Sequence, residues 1–343
     1  MMSITQRLVA LVAGAALMIG ACSADAGAGS GGGGAPASDA PTGISGSIAV
    51  SGSSTVEPIS TGVAEALKEA DPGFDYTIEG PGTGDGFKRF CAGETDISDA
   101  SRQIKAEGEA DVCAANGIDY VELRIAFDGI TVMTSPDNDI ACLSYADLYA
   151  LVGPESTGFT TWDAAQPLAT ELGSTVTYPA ASLDITGPGE ESGTFDSFVE
   201  LVIAGIAEDR GQDATTRPDY VASANDNAII EGISGSSSSL GWVGFAFAEE
   251  NSGSVKEVAV SKEPGGECIA PSAATIADGT YPISRSLYLY VNTAKAAQNP
   301  AVAAYIDYYL ADGTIAGVLE YVPYVNLPAE TLAETRAAWE AAT

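Results

Sequence analysis

Four short segments of the chain combine hydroxyl side chains with glycine or another small residue, and each follows a strand-like run. They are Ser51–Thr55 (SGSST), Gly80–Gly86 (GPGTGDG), Thr95–Arg102 (TDISDASR) and Gly187–Thr194 (GPGEESGT). We expect each to lead into a helix, whose first turn offers unpaired N–H groups and the positive end of the helix dipole. Serine and threonine there cap the helix, donate to a bound oxyanion, or do both. Four such loops favour an anion site over capping alone.

The composition excludes several other kinds of chemistry. The 343 residues include 14 Lys+Arg, 47 Asp+Glu and no histidine, which gives a formal net charge of −33. Nucleic acid needs clustered basic side chains, and without histidine the Ser-His-Asp and Cys-His relays are absent. No GxxxxGK[ST] occurs, and Asp85 and Phe87 stand where GxGxxG requires its third glycine. We therefore expect no nucleotide, metal or cofactor.

Alternating strand and helix patterns predict an α/β fold with largely parallel sheets. Residues 48–50 and 74–78 have strand character, and between them Ile59, Val63, Ala66 and Leu67 repeat at helical spacing. Two longer β-rich runs, 121–133 and 281–291, are long enough to cross between two domains. Leaving the first domain through one run and returning through the other would make that domain discontinuous.

The first 46 residues are typical of an export signal and a tether. Arg7 precedes the apolar run 8–19, which is too short to span a bilayer and suits a signal peptide over residues 1–21. Ile19-Gly20-Ala21-Cys22 resembles a bacterial lipobox, so we expect Cys22 to carry a lipid anchor; the alternative is an ordinary secretory signal with an incidental cysteine. Residues 22–46, rich in Gly, Ala and Ser, are expected to form a disordered linker. The lipid anchor would then be the chain's one attachment to the membrane.

The other four cysteines are expected to form disulfides. An even count in an exported protein favours this, whereas the absence of CxxC spacing and of histidine argues against zinc. The sequence permits three pairings. We favour Cys91–Cys113, which closes a local loop, and Cys142–Cys268, which could join the ends of one domain.

Six motifs, in order along the chain, resemble the phosphate-binding subunits of high-affinity phosphate ABC transporters. They read SGSSTV from Ser51, GPGTG from Gly80, DASR from Asp99, ESGTFD from Glu191, LGWVGF from Leu240 and YPISR from Tyr281. The resemblance implies a two-lobed periplasmic-binding-protein fold of type II that closes over one phosphate ion. Lobe 1 would comprise residues 47–126 and 286–343, and lobe 2 residues 127–285.

The resemblance also implies which residues bind the ion. Lobe 1 would contribute hydroxyl, amide and guanidinium donors from Ser54, Thr55, Thr83, Ser101 and Arg102. Lobe 2 would contribute the start of a helix at Ser192, Gly193 and Thr194. The chain departs from the family twice: Asp85 replaces a small residue, and Pro188 replaces an arginine of some members. A carboxylate can accept the proton that phosphate retains and sulfate lacks. We assign that role first to Asp85 and second to Glu191.

Together these observations predict a monomeric lipoprotein outside the cytoplasm that captures phosphate and delivers it to an ATPase-driven membrane permease, without catalysis. Another tetrahedral oxyanion, sulfate or molybdate, is the alternative within this class. From other classes, a cell-surface hydrolase with a serine nucleophile or hydroxyl-lined phosphatase site and an adhesin are the rivals.

Overall fold

The computed structural model of the chain describes residues 43–190, 192–322 and 324–343. Cys22, the signal peptide 1–21 and linker residues 22–42 lie outside the described residues, as does Glu191. The predicted linker, residues 22–46, ends too late in the sequence, because Ile44 is buried in the core and its N–H donates to Asp71 Oδ2 over 2.7 Å. Among the described residues, no helix has the length and apolar content needed to cross a membrane.

The chain begins with three strand–helix units, as the hydrophobic pattern predicts. Helix α1 has Pro58 in its first turn and buries Ile59, Val63 and Leu67, at helical spacing, on one face. The third unit is interrupted, because an irregular turn over Ala106–Ala110 separates the Ser101–Arg102 segment from the next helix. The elements are β1 (Gly46–Gly52), α1 (Glu57–Ala70), β2 (Phe74–Glu79), α2 (Thr83–Cys91), β3 (Ile97–Ala100) and α3 (Asp111–Ala115).

The long strand β4 (Tyr120–Thr134) leads into the middle of the chain. Its helices and strands are short, except where α6, a π-helical turn over Val199–Ile203 and α7 follow one another without a break. The elements are β5 (Cys142–Ser144), α4 (Tyr145–Val152), α5 (Gln166–Glu171), β6 (Asp184–Gly187), α6 (Gly193–Phe198), α7 (Ala204–Asp209), β7 (Val221–Ala222), α8 (Asp226–Ser234), β8 (Ser239–Gly244), α9 (Phe245–Glu250), β9 (Lys256–Glu257), β10 (Ala259–Ser261) and α10 (Ala273–Ala277).

Strand β11 (Ser284–Asn292) returns the chain to the first units. It is followed by the helices α11 (Thr293–Gln298), α12 (Pro300–Tyr309), α13 (Thr314–Val318) and α14 (Ala329–Ala342). The helical spacing of Val302, Tyr305, Ile306 and Tyr309 predicts a helix over residues 299–310, and α12 matches it within about one residue, inside the usual uncertainty of helix ends.

Eight strands form a continuous mixed sheet in the order β2-β1-β3-β11-β4-β8-β6-β7, with β9 beside β4 and a separate pair of β5 and β10. Pairs among β1, β2 and β3 and among β6, β7 and β8 are parallel. The centre is antiparallel, because β4 and β11 cross in opposite directions. A sheet that is parallel at both sides and antiparallel at the crossing therefore replaces the largely parallel one expected.

Two large hydrophobic cores lie along this sheet. The first contains Val50, Ile59 and Leu289, and the second contains Trp162 and Trp242. Along β4 the core changes between Ala126 and Phe127, and the return occurs between Ile283 and Leu287. The predicted lobe boundaries lie near these positions, although Val325 and Leu327, expected in lobe 1, pack against the second core. The lobe division itself stays a prediction.

Both favoured disulfides are present in the structure. Cys91 at the end of α2 is bonded to Cys113 on α3, with Cα atoms 4.2 Å apart. Cys142 on β5 is bonded to Cys268, 126 positions later, with Cα atoms 6.0 Å apart. The first disulfide fastens the irregular turn next to Arg102, and the second links distant parts of the segment that forms the second core.

Candidate functional site

Three loops of the first half of the chain and one helix of the second surround a cavity of about 290 Å³. Among the predicted site residues, five line it: Ser54, Thr55, Thr83, Ser101 and Arg102. The other lining residues are Ser53, Gly82, Gly84, Asp196 and Glu200. Segments separated by more than 140 positions thus present hydroxyl groups and one guanidinium to a common space.

The first loop is held by the backbone of strand β3. Ser53 N–H donates to the Asp99 carbonyl oxygen over 2.9 Å, and Ser53 Oγ accepts from Thr55 N–H over 3.2 Å. Ser53 is therefore a structural residue of the loop, and it leaves Ser54 and Thr55 at the end of β1 facing the cavity. Gly52 is required here, because a Cβ at this position would stand 1.9 Å from the Asp99 carbonyl oxygen.

The second loop starts helix α2 at the cavity wall. Gly82, with φ of 105°, precedes the helix, and α2 begins at Thr83, inside the glycine-rich run rather than after it. Thr83 Oγ1 accepts from Ser101 N–H over 3.1 Å and lies 3.0 Å from Ser101 Oγ. Only one of the two hydroxyl protons is needed for the bond between them, so the other can point into the cavity. The first-turn amides of α2 add donors and the positive end of the dipole.

Arg102 supplies the positive charge of the cavity wall. Its Nη1 and Nη2 donate to the two carboxylate oxygens of Glu109 over 2.9 and 2.7 Å, and Nη1 also donates to the Gln103 carbonyl oxygen. The hydrogen bond with Glu109 raises the pKa of Arg102 and lowers the pKa of Glu109. Within the part of the chain described, these contacts take three of the five guanidinium N–H groups. Glu109 thereby orients the fork and leaves donors for a ligand.

The fourth segment takes a different position from the one expected. Ser192 Oγ accepts from Thr194 N–H over 3.2 Å, so Ser192 caps α6, and Ser192, Gly193 and Thr194 are not among the residues that line the cavity. Gly193 lies beside the first loop, since a Cβ there would be 3.7 Å from Thr55 Cα. A ligand role for these three residues remains a prediction. Asp196, one helical turn after Ser192, is the residue of this segment that reaches the cavity.

Asp85 does not reach the cavity in this structure. Its carboxylate pairs with Lys88 over 2.7 Å, and 57% of its side chain is exposed. Asp196 instead places a carboxylate on the wall, where its Oδ2 accepts from Ser54 Oγ over 3.1 Å. The sequence carried a signal for it, because Asp196 belongs to the same ESGTFD motif as the predicted ligands Ser192, Gly193 and Thr194.

Arg285, the last residue of the YPISR motif, is a second functional candidate and was not among the predicted site residues. Its side chain is only 8% exposed and lies behind the cavity wall, where its Nη2 donates to Thr55 Oγ1 over 3.0 Å. Burial opposes its charge, but Asp128 and Glu200 outweigh that cost and raise the pKa of Arg285. The cations of the site are thus paired with carboxylates, so hydroxyl and amide donors must supply much of the attraction for an anion.

Asp99 lies fully buried beneath the first loop. Its Oδ1 accepts from Ser60 Oγ over 3.0 Å. Burial raises the pKa of the Asp99 carboxyl to about 8, which keeps it mostly protonated at neutral pH. It therefore adds little negative charge below a site built for an anion.

The two cores, the paired crossing strands and the cavity between their loops define the class of type II periplasmic binding proteins. The model of the PBP superfamily domain matches residues 37–312. The chain is 37% identical to protein SphX from Synechocystis over 84% of its own length and 81% of that protein. It is 31% identical to the phosphate-binding protein PstS from Staphylococcus saprophyticus over 87% of its length and 83% of that protein.

Among solved structures, a possible phosphate binding protein from Planctomyces limnophilus superposes with a TM-score of 0.78 at 35% identity, covering 88% of this chain and 99% of that one. The chain belongs to the PBP superfamily and, within it, to the family of solute-binding proteins that includes SphX and PstS.

Proposed function

We propose that this protein captures inorganic phosphate in the cavity between its two cores and delivers it to the membrane permease of an ABC transporter. The convergence of Ser54, Thr55, Thr83, Ser101 and Arg102 on one cavity carries the proposal. The names of PstS and of the Planctomyces limnophilus protein support phosphate as the ligand.

The number of donors is sufficient for tight binding. Each hydrogen bond to a charged group contributes roughly 1.5–3 kcal/mol, whereas micromolar affinity requires about 8 kcal/mol. Six to ten such bonds sum to about 9–30 kcal/mol, and the upper part of that range exceeds 8 kcal/mol after the costs of desolvation and ordering are subtracted. The overall charge of −33 acts weakly at the cavity, because salt screens exposed charges beyond about 8–10 Å.

We assign selectivity for phosphate over sulfate to Asp196 in place of Asp85. Phosphate at neutral pH still carries a proton that it can donate to a carboxylate, whereas sulfate would place an unprotonated oxygen against the same negative charge. Asp196 lines the cavity and its Oδ2 already accepts a hydroxyl proton from Ser54.

We also propose that the two cores are lobes that close on the ion by a hinge in β4 and β11, with boundaries near residues 126/127 and 285/286. The change of core along these strands supports this division. The closed state would be stabilised by the ligand, and no chemical step would follow. The chain holds no histidine that could activate a serine nucleophile.

Location outside the cytoplasm is supported by the two disulfides, which persist in oxidising compartments. We propose that Cys22 carries the lipid that holds the monomer at the membrane. Incorporation of labelled fatty acid into the full chain, and its loss in Cys22→Ser, would test the anchor.

Equilibrium binding to the ligand-stripped protein tests the function. We expect one phosphate per chain and a preference for phosphate over sulfate and molybdate in calorimetry. Tighter binding of sulfate or molybdate would show that this anion, and not phosphate, is the ligand. Turnover of a p-nitrophenyl ester or of p-nitrophenyl phosphate would favour the hydrolase.

A further inference from the structure

We propose that Arg285 is a positioning residue that clasps the cleft shut around the ion and thereby sets how slowly phosphate leaves. The inference rests on the proposed function and extends it to a residue that lies outside the cavity lining.

The location of Arg285 is the first observation. Arg285 on β11 stands directly opposite Asp128 on β4, and both strands cross between the two cores. Their side chains pair across the strands, with Nε 3.2 Å from Asp128 Oδ2. The guanidinium is therefore anchored at the proposed hinge.

The reach of the side chain is the second observation. A single nitrogen, Nη2, donates to Thr55 Oγ1 over 3.0 Å and also to Ser197 Oγ. Thr55 directly precedes Val56, which belongs to the first core, whereas Ser197 directly precedes Phe198 on α6, which belongs to the second core. These two hydroxyl oxygens are 3.3 Å apart. Opening the cleft has to separate them and break at least one bond to Arg285.

The direction of these hydrogen bonds prepares the site for an anion. Arginine has only donors, so Thr55 Oγ1 must act as the acceptor in its bond to Arg285. The Thr55 hydroxyl proton must then point away from Arg285, either to Ser197 Oγ, 3.3 Å away, or to an oxyanion in the cavity, which Thr55 lines. Arg285 thus fixes Thr55 in the polarity that an anion requires.

The same guanidinium neutralises acidic groups near the cavity. Its Nη1 donates to the carboxylate of Glu200, which lines the cavity, while Asp128 is almost fully buried. Without Arg285, both carboxylates would face a bound dianion with less compensation. The hydrogen bonds from Arg285 to Thr55 and Ser197, and its neutralisation of nearby carboxylates, should both slow the release of phosphate.

The kinetics of phosphate release test the proposal. Protein loaded with phosphate is mixed with an excess of a fluorescent phosphate sensor, and calorimetry gives Kd and stoichiometry. Arg285→Lys keeps the positive charge but loses the forked guanidinium. We expect it to release phosphate at least about tenfold faster than the wild type, with an association rate constant within about twofold of the wild-type value. Ser197→Ala, which removes one acceptor outside the cavity, should accelerate release by about threefold to tenfold.

Arg217→Lys is the matched control. Arg217 is buried to a similar degree, with a 4% exposed side chain, and pairs with Asp219 within the second half of the chain. A loss of packing alone would lower the stability of both arginine variants and leave release unchanged. We expect Arg217→Lys to release phosphate at the wild-type rate.

The outcomes separate the two proposals. Absence of phosphate binding in the wild-type protein contradicts the proposed function. If the wild-type protein binds phosphate, and both Ser197→Ala and folded Arg285→Lys release it at the wild-type rate, only the proposed role of Arg285 is overturned. If Arg285→Lys does not fold, Ser197→Ala decides, because it removes only one hydroxyl.

Discussion

Ser54 Oγ donates a hydrogen bond to Asp196 Oδ2 over 3.1 Å, joining the loop after the first strand to a helix 142 positions later. Both residues line the cavity. The bond connects elements of the two cores directly and places a carboxylate beside the hydroxyl and guanidinium donors.

Asp196→Asn should weaken the discrimination between phosphate and sulfate. The amide cannot accept the phosphate proton as a charged acceptor, and it no longer repels sulfate. A hydrogen bond to a charged group is worth roughly 1.5–3 kcal/mol, so we expect the ratio of affinities to fall by about tenfold to a hundredfold. Calorimetric titration with both anions measures it.

Asp85→Asn serves as the control for that measurement. Because the Asp85 side chain is exposed and paired with Lys88, the Asp85→Asn variant should keep the wild-type ratio of phosphate affinity to sulfate affinity. A fall of the ratio in Asp85→Asn, with no change in Asp196→Asn, would restore the role first assigned to Asp85.

Arg102→Lys should weaken phosphate binding by about tenfold or more, and Arg102→Gln by about a hundredfold. Lysine retains the charge but cannot pair with Glu109 and the ion through a planar fork, and glutamine loses the charge as well. Binding isotherms measure both. Arg210→Gln, which removes an arginine paired with Glu155 elsewhere in the chain, should bind phosphate normally; equal losses in all three variants would contradict a local role.

Replacing both Cys142 and Cys268 by serine should lower stability without altering the site. The disulfide constrains a segment of 126 positions in the unfolded chain, and removing a disulfide of this kind costs typically about 2–4 kcal/mol. Urea unfolding measures the loss. A changed phosphate Kd in the folded double variant would show that this disulfide also shapes the cavity.

The buried carboxyl of Asp99 should make stability depend on pH. Its pKa is about 8 in the folded chain because of burial, against an ordinary value of 3.8. Below pH 3.8 both folded and unfolded states hold the proton. Between pH 3.8 and about 8 only the unfolded state releases it, so stability falls as pH rises through this window, by at most about 1.4 kcal/mol per pH unit.

Asp99→Asn cannot release a proton and should lack this contribution. We expect the wild type to lose unfolding free energy relative to Asp99→Asn between pH 5 and pH 8, measured by urea denaturation at each pH. Parallel pH profiles for the two proteins would mean that Asp99 is ionised in the folded state.

Much of the fold follows from local pattern. The spacing of Ile59, Val63 and Leu67 predicts α1, because helical periodicity is a property of neighbouring residues. The two β-rich runs predict the crossing strands for the same reason. The antiparallel pairing of β4 and β11 was not predicted, because it depends on how distant strands meet.

The amino-acid sequence by itself determined the chemistry available to this protein: hydroxyl and glycine loops, a forked cation, two disulfides and no histidine. The tertiary structure alone decided which groups face the cavity. Asp85 and Asp196 both lie in the first turn of helices that start near it, yet helix phase and packing bring only Asp196 to the cavity wall. Arg285 reaches Thr55 across 230 positions of sequence, and such a contact depends on sheet register and packing.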